Sequence, residues 1–224
     1  MPTILLIRHG QASFGAEDYD VLSPTGARQA ELVAAALARR GYAPSRLVSG
    51  SLQRQVETAA AFDGPAPELD PRWDEYDPND VLAHHSDSPT RLDGPDAGSG
   101  EPLTSKGFQA VLDPALAAWI EMAEASPARQ SWPQFSAAGS AALTELAADL
   151  GRGETAVVVS SGGTIAAVAG GLLGAPALVF PALNRVMVNA SVTKIAIGAA
   201  GTHLVDFNDH SHLEEIDRAL VTYR

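Results

Sequence analysis

A chain of 224 residues, 46% hydrophobic and 19% charged, carries enough apolar material for one sizeable α/β domain with an insertion, and too little length for two ordinary domains. Its formal net charge of -12 works against nucleic acid and anionic membrane at long range, so neither is an expected partner and any anionic ligand must be gripped by a local cluster of Arg and His. The absence of cysteine excludes thiol catalysis, disulfides and Cys-ligated zinc.

Thr3 to Ile7 is a short continuous apolar run and predicts a strand buried on both faces, as in a parallel sheet. The run is far too short for a signal-peptide core or a membrane span, which makes the cytoplasm the expected location. Arg8, His9 and Gly10 fall at its carboxyl end, where open α/β sheets bind their ligands. Ser23 and Pro24 open a predicted helix whose apolar face is Ala30, Val33, Ala34 and Leu37, and Gly41 stops it. Arg46 to Gly50 predicts a second strand and Leu52 to Phe62 a second helix, with Arg54 in its first turn.

From Arg72 to Phe135 the periodicity weakens, and Ser86 to Gly107 is so rich in Ser, Pro, Gly and Asp that it predicts a loop or lid. A cap insertion over about 76–135 is therefore expected within a single domain spanning 1–224. Val111 to Ala123 and Ala137 to Leu150 predict helices. Thr155 to Val159 predicts a further buried strand, followed by the turn Ser160-Ser161-Gly162-Gly163 and a helix from Thr164 to Leu173. A strand, a Gly-rich turn and a helix in that order make an anion-binding arrangement, because the first-turn N–H groups lack helical partners. Ser191 to Ile197 and His203 to Phe207 predict two closing strands.

Three strand-to-helix junctions thus deliver polar groups to one edge of a sheet: Arg8 with His9, Arg54, and the turn at 160–163. Guanidinium forks grip phosphoryl oxygens bidentately, and a neutral imidazole beside them can attack phosphorus.

Arg8-His9-Gly10 at the end of the first strand resembles the signature of the phosphoglycerate mutase-like histidine phosphatase superfamily. Leu22-Ser23-Pro24-Thr25-Gly26 with Gln29-Ala30 is similar to that family's helix opening, and Ser49 to Arg54 with Thr58-Ala59 to its second-arginine segment. Further similarity lies in Arg72 to Asp77, Val157 to Ile165, Asn189 to Thr193, Phe207-Asn208-Asp209 and His212-Leu213. The resemblance implies a three-layer α/β/α sandwich on a mostly parallel sheet, with helices on both faces and an inserted cap.

It also implies a phosphatase that needs no metal or other cofactor and acts on a small phosphorylated substrate. His9 would be the nucleophile, Arg8 and Arg54 would clamp the phosphoryl group, and Glu75 would protonate the leaving oxygen. Asp74 and Asp77 carry the same charge as Glu75 and compete with it for that role. Ser161, with Gly162 after it, stands where the family has its second histidine, and a serine donates one hydrogen bond without positive charge. Losing one preorganised donor costs about 10²- to 10³-fold in rate. Arg185, His84 and His85 are the cations that would fill the gap; otherwise turnover is slow.

Other readings stay open at this level. A weak or inactive family member that binds a phosphorylated ligand or a protein accounts for Ser161. A phosphoglycerate mutase fits less well, because Gln11-Ala12-Ser13-Phe14-Gly15 lacks the Ser/Thr and Asn that such mutases show there. The turn at 160–163 has a plain structural reading as a tight connection. His210 and His212, two apart beside Asp206 and Asp209, would face away from each other on a helix and so are not expected to share a metal. Trp119, Trp132 and Phe135 are expected to pack the inserted region. The acidic residues Asp87, Asp93, Asp96 and Glu101 of the lid are expected to disfavour highly anionic ligands if they face the pocket.

Overall fold

The alternation of apolar runs with amphipathic segments is realised in a computed structural model that describes residues 1–13, 20–86 and 105–223. In chain order the described elements are β1 (Thr3–Arg8), α1 (Pro24–Arg39), β2 (Arg46–Ser49), α2 (Gln53–Ala59), β3 (Glu68–Leu69), α3 (Pro78–His85), α4 (Ser105–Met122) and α5 (Trp132–Asp149). They continue with β4 (Thr155–Ser160), α6 (Gly162–Leu172), α7 (Pro176–Val186), β5 (Val192–Gly198), β6 (Gly201–Asp209) and α8 (Ser211–Glu214). The chain divides into two compact units, one of residues 1–75 and 138–224 and the other of residues 76–137.

The first unit is built on a six-stranded sheet of order β3-β2-β4-β1-β5-β6. Its first four strands run parallel, while β5 and β6 are antiparallel to their neighbours. Side-chain alternation along β1 explains the layers. Ile4 and Leu6 join Ala142, Leu143 and Leu146 of α5 and Ile165 and Val168 of α6 on one face. Leu5 and Ile7 join Val33 and Leu37 of α1 and Ala59 of α2 on the other. Both faces are covered, which is why β1 and β4 read as unbroken apolar runs, and the α/β/α sandwich follows.

α1 begins where its sequence says it should. Ser23 accepts the Gly26 N–H at 3.0 Å, Pro24 occupies the first turn, and Gly41 beyond its end takes φ +81°. The structure departs from expectation in several places. β3, α3, α7 and α8 were not predicted, α5 starts at Trp132 and not at Ala137, and α4 starts at Ser105, so residues 105–107 belong to a helix and not to the loop. α7 escapes pattern reading because Pro181 sits inside it, where proline normally reads as a stop. Ser86 closes α3, and residues 87–104 of the expected lid, with its four acidic residues, and Phe14-Gly15 lie outside the described residues.

The second unit carries α3 and α4 and has an aromatic core of its own. Trp119 stacks with Tyr76, Trp132 and Phe135 at centroid distances of 5.5, 5.6 and 5.6 Å. Rings at these spacings contribute packing beyond simple area burial. Among the described residues no helix is long and apolar enough to cross a membrane.

Candidate active site

Strand register sets the geometry of the site. Arg8 lies opposite Ser160, and Ser49 opposite Val159, so β1, β4 and β2 end side by side. The ladder runs one step further, with His9 N–H donating to Ser160 O at 2.9 Å and Gly50 N–H to Val159 O at 3.1 Å. Residues 9–10, 50–54 and 161–163 therefore leave the sheet together, at the carboxyl ends of parallel strands.

The backbone around His9 is held from three sides. The Asn189 amide donates to its carbonyl at 3.2 Å, the Ala190 N–H donates to the Arg8 carbonyl at 3.0 Å, and the Gly10 N–H donates to Thr58 Oγ1 at 3.0 Å. Thr58 in turn donates to the Arg54 carbonyl at 2.7 Å.

The imidazole is 5% exposed, and its tautomer follows from its partners. Nδ1 lies 2.7 Å from the Gly10 carbonyl, which can only accept, so Nδ1 bears the proton. Nε2 lies 3.1 Å from Arg54 Nε, which can only donate, so Nε2 presents its lone pair. Burial, then the positive charges of Arg54 and Arg8, hold the ring well below the ordinary histidine range, with the Gly10 carbonyl opposing. A neutral ring with an unprotonated Nε2 is what nucleophilic attack requires.

Arg54, second residue of α2, is 9% exposed and also meets the Asp20 carboxylate through Nη1. Arg8, equally buried, takes a different course: its Nη1 donates to the Met187 carbonyl, and its Nε lies 3.4 Å from where a Cβ on Gly162 would sit. The imidazole thus has Arg54 against it, while Arg8 leans on the start of α6.

That helix corrects one expectation. Gly162 and Gly163 are not a turn before the helix but its first two residues, with Ser161 as the N-cap. The Gly163 N–H, expected to point outward at an anion, donates to Glu75 Oε2 at 2.9 Å. The acceptor at this helix terminus is the protein's own Glu75 carboxyl group, through Oε2. The two rival acids are engaged elsewhere. Asp74 accepts from Ser51 N–H and from the Ser51 hydroxyl, each at 2.5 Å, and Asp77 caps α3 through the N–H groups of Asn79 and Asp80.

Ser161 is fully buried, and its hydroxyl accepts from Gln55 Nε2 at 2.9 Å. Gln55, also fully buried, donates to the Trp73 carbonyl at 3.1 Å and accepts the Leu52 N–H at 3.2 Å. Space here is tight, since a Cβ on Gly50 would fall 2.0 Å from Gln55 Oε1. Gln55 escaped the sequence reading, although a carboxamide beside Arg54 on a short helix was the one available signal. Of the cations expected to serve beside Ser161, Arg185 is exposed near the end of α7. His84 and His85 belong to the second unit, where His84 Nδ1 lies 2.8 Å from the Asp80 carbonyl and His85 Nε2 2.8 Å from Ser126 Oγ.

The doubly covered sheet and the histidine held between an arginine and a backbone carbonyl define a class. The model of the histidine phosphatase superfamily (branch 1) matches residues 4–93 and 87–210, and the chain belongs to that superfamily. Among solved structures it is similar to a mycobacterial glucosyl-3-phosphoglycerate phosphatase in complex with VO3, at 27% identity and a TM-score of 0.63, covering 92% of this chain and 98% of that one. Its fold is also that of a mutant Entamoeba histolytica phosphoserine phosphatase in complex with phosphoserine, at 20% identity and a TM-score of 0.68, covering 95% of this chain and all of that one. No curated protein matches it.

Proposed function

We infer that this chain is a phosphomonoesterase acting on a small phosphorylated metabolite through phospho-His9, without a metal. The observation that carries the reading is the His9 ring, kept neutral with the Nε2 lone pair turned to a guanidinium. In this reading the Arg54 Nε–H shifts from Nε2 to a phosphoryl oxygen, the freed Nε2 lone pair attacks phosphorus and the P–O bond to the leaving group breaks. Glu75 gives its proton to the departing oxygen, then accepts one from the water that cleaves the phosphohistidine. Arg54 and Arg8 neutralise the charge gathering on the phosphoryl oxygens, Arg8 after release from the Met187 carbonyl. The Ser161 hydroxyl, accepting from Gln55, keeps its own proton for a phosphoryl oxygen. The mycobacterial phosphatase, which shares 27% of its sequence and carries VO3, supports this choice of chemistry.

The test is hydrolysis of an aryl phosphate by wild type and His9→Ala at mildly acidic to neutral pH, with acid-labile phosphohistidine measured alongside. Hydrolysis and label both vanish in the variant if the reading holds. Turnover that survives His9→Ala would sink it.

Ser161 favours a second reading, a weak or inactive member that binds a phosphorylated ligand or a protein. The Gln55 amide fills the room beside the serine, so the informative variant is Ser161→His combined with Gln55→Ala. A large gain in turnover means a decayed enzyme; no gain, or a loss, means that the serine and glutamine suit the reaction catalysed.

A further inference from the structure

We propose that Asp20 is a positioning residue for the phosphoryl clamp: its carboxylate grips the far side of Arg54 and so turns the Nε edge of the guanidinium onto His9 Nε2. The inference deepens the phosphohistidine reading and rests on it for its catalytic consequence.

Three contacts carry it. Asp20 Oδ1 accepts from Arg54 Nη1, Asp20 Oδ2 accepts the Gln53 N–H at 2.8 Å, and Arg54 Nε donates to His9 Nε2 at 3.1 Å. Nη1 is the terminal nitrogen cis to Cδ, so it faces away from the edge formed by Nε and Nη2. A carboxylate there does not compete with a phosphoryl group on Nε2; it fixes the plane of the fork that must receive one. The bond to Gln53 anchors Asp20 to the helix that carries Arg54, because Leu52 at the cap position has no side chain able to accept. The same strap is tied one turn later, where the Leu22 N–H donates to Glu57 Oε2 at 2.8 Å and Gln53 Nε2 to Glu57 Oε1 at 2.9 Å. Asp20 is only partly buried, at 35% side-chain exposure, against 11% for the arginine it holds. A half-exposed carboxylate with one oxygen on a helix N–H and the other on a buried arginine sets orientation more than it adds stability.

Asp20→Asn separates the two tasks, since the amide oxygen still accepts from Gln53 while the charged grip on Arg54 is lost. The experiment compares wild type, Asp20→Asn and Asp20→Glu by thermal midpoint, by kcat and KM on an aryl phosphate, and by the Arg54 Nε–H resonance in 15N-edited NMR, assigned by its loss in Arg54→Lys. In Asp20→Asn the midpoint holds, the resonance broadens beyond detection and kcat falls about 10- to 100-fold, as a misplaced clamp predicts. Asp20→Glu recovers part of both. A resonance and a kcat within about twofold of wild type in Asp20→Asn overturn the proposal, and so does a loss of midpoint that accounts for the whole loss of rate. If wild type hydrolyses nothing, the phosphatase reading fails alone, and the resonance still decides whether Asp20 orients Arg54.

Discussion

His9 is buried with the Arg54 guanidinium against it and within reach of the Arg8 charge, and its pH behaviour follows from that. The folded pKa lies well below the usual 6.5, so the attacking neutral ring persists under mildly acidic conditions. The acid limb of kcat/KM is therefore expected well below pH 6.5, read from a pH–rate profile of the free enzyme. Replacing Arg54 by Gln removes the larger of the two charge effects on the ring. The His9 pKa then moves up, as 15N titration of the imidazole would record, while kcat/KM falls about 10²- to 10³-fold. A pKa that moves down in this variant would refute the electrostatic account. At this scale the placement of Arg8, His9 and Arg54 was readable from the sequence, because strand ends and helix starts mark where side chains leave a sheet, while Glu75 came from the family resemblance alone. Gln55 and Asp20 were not. Neither falls at a strand end, and their importance lies in what they touch: a hydroxyl 106 residues away and a guanidinium 34 residues away.

Among the elements, β1 and α1 meet backbone to backbone. A Cβ on Gly10 would lie 2.3 Å from the Gly26 carbonyl oxygen, and one on Gly26 would lie 2.1 Å from the Gln11 carbonyl oxygen. Both obstacles are backbone, so relief requires α1 to move as a body, and α1 carries Val33 and Leu37 into the core. Gly10→Ala is expected to destabilise by about 1–3 kcal/mol or more, and to lower activity because the His9 backbone shifts with it. Ser23→Ala, which removes only the cap of the same helix, costs about 1 kcal/mol and leaves kcat nearly unchanged. Urea denaturation and steady-state rates on the two variants distinguish a displaced helix from a frayed one; equal losses of kcat in both would contradict the distinction. α1 was readable because cap, proline, apolar face and stop agree with one another. α7 was not, because Pro181 breaks its pattern, and the two-residue β3 is too short to leave one.

Across the whole molecule, the alternation of apolar runs was enough to expect a doubly covered sheet. The order of its strands was not readable, since it depends on pairings such as Leu5 with Val157, more than a hundred residues apart. The closing segment shows what such long-range packing does to stability. His212, buried at the start of α8 next to the core residue Leu213, has its pKa lowered to about 4. Burial is the first cause; Arg40 and His210 act in the same direction, while Asp209 and the Ala190 carbonyl oppose it. A histidine whose folded pKa is depressed binds its proton more readily when unfolded. Its contribution is complete above about pH 6.5 and is lost as pH falls from there to about 4, amounting to roughly 3 kcal/mol over that window. Asp209, lowered to about 2 with its Ser211 hydrogen bonds and Arg40 overcoming burial, has its own loss below the ordinary Asp value of 3.8, so the two windows separate. Replacing His212 by Gln removes the titrating ring and should flatten the fall in unfolding free energy between pH 6.5 and 4, leaving the steeper fall below it. His9, also depressed, keeps a residual slope in the same window, so the difference between wild type and variant is the quantity to measure. An unchanged slope in His212→Gln would mean that the ring takes up its proton as readily in the folded protein as in the unfolded chain, which would refute the depression.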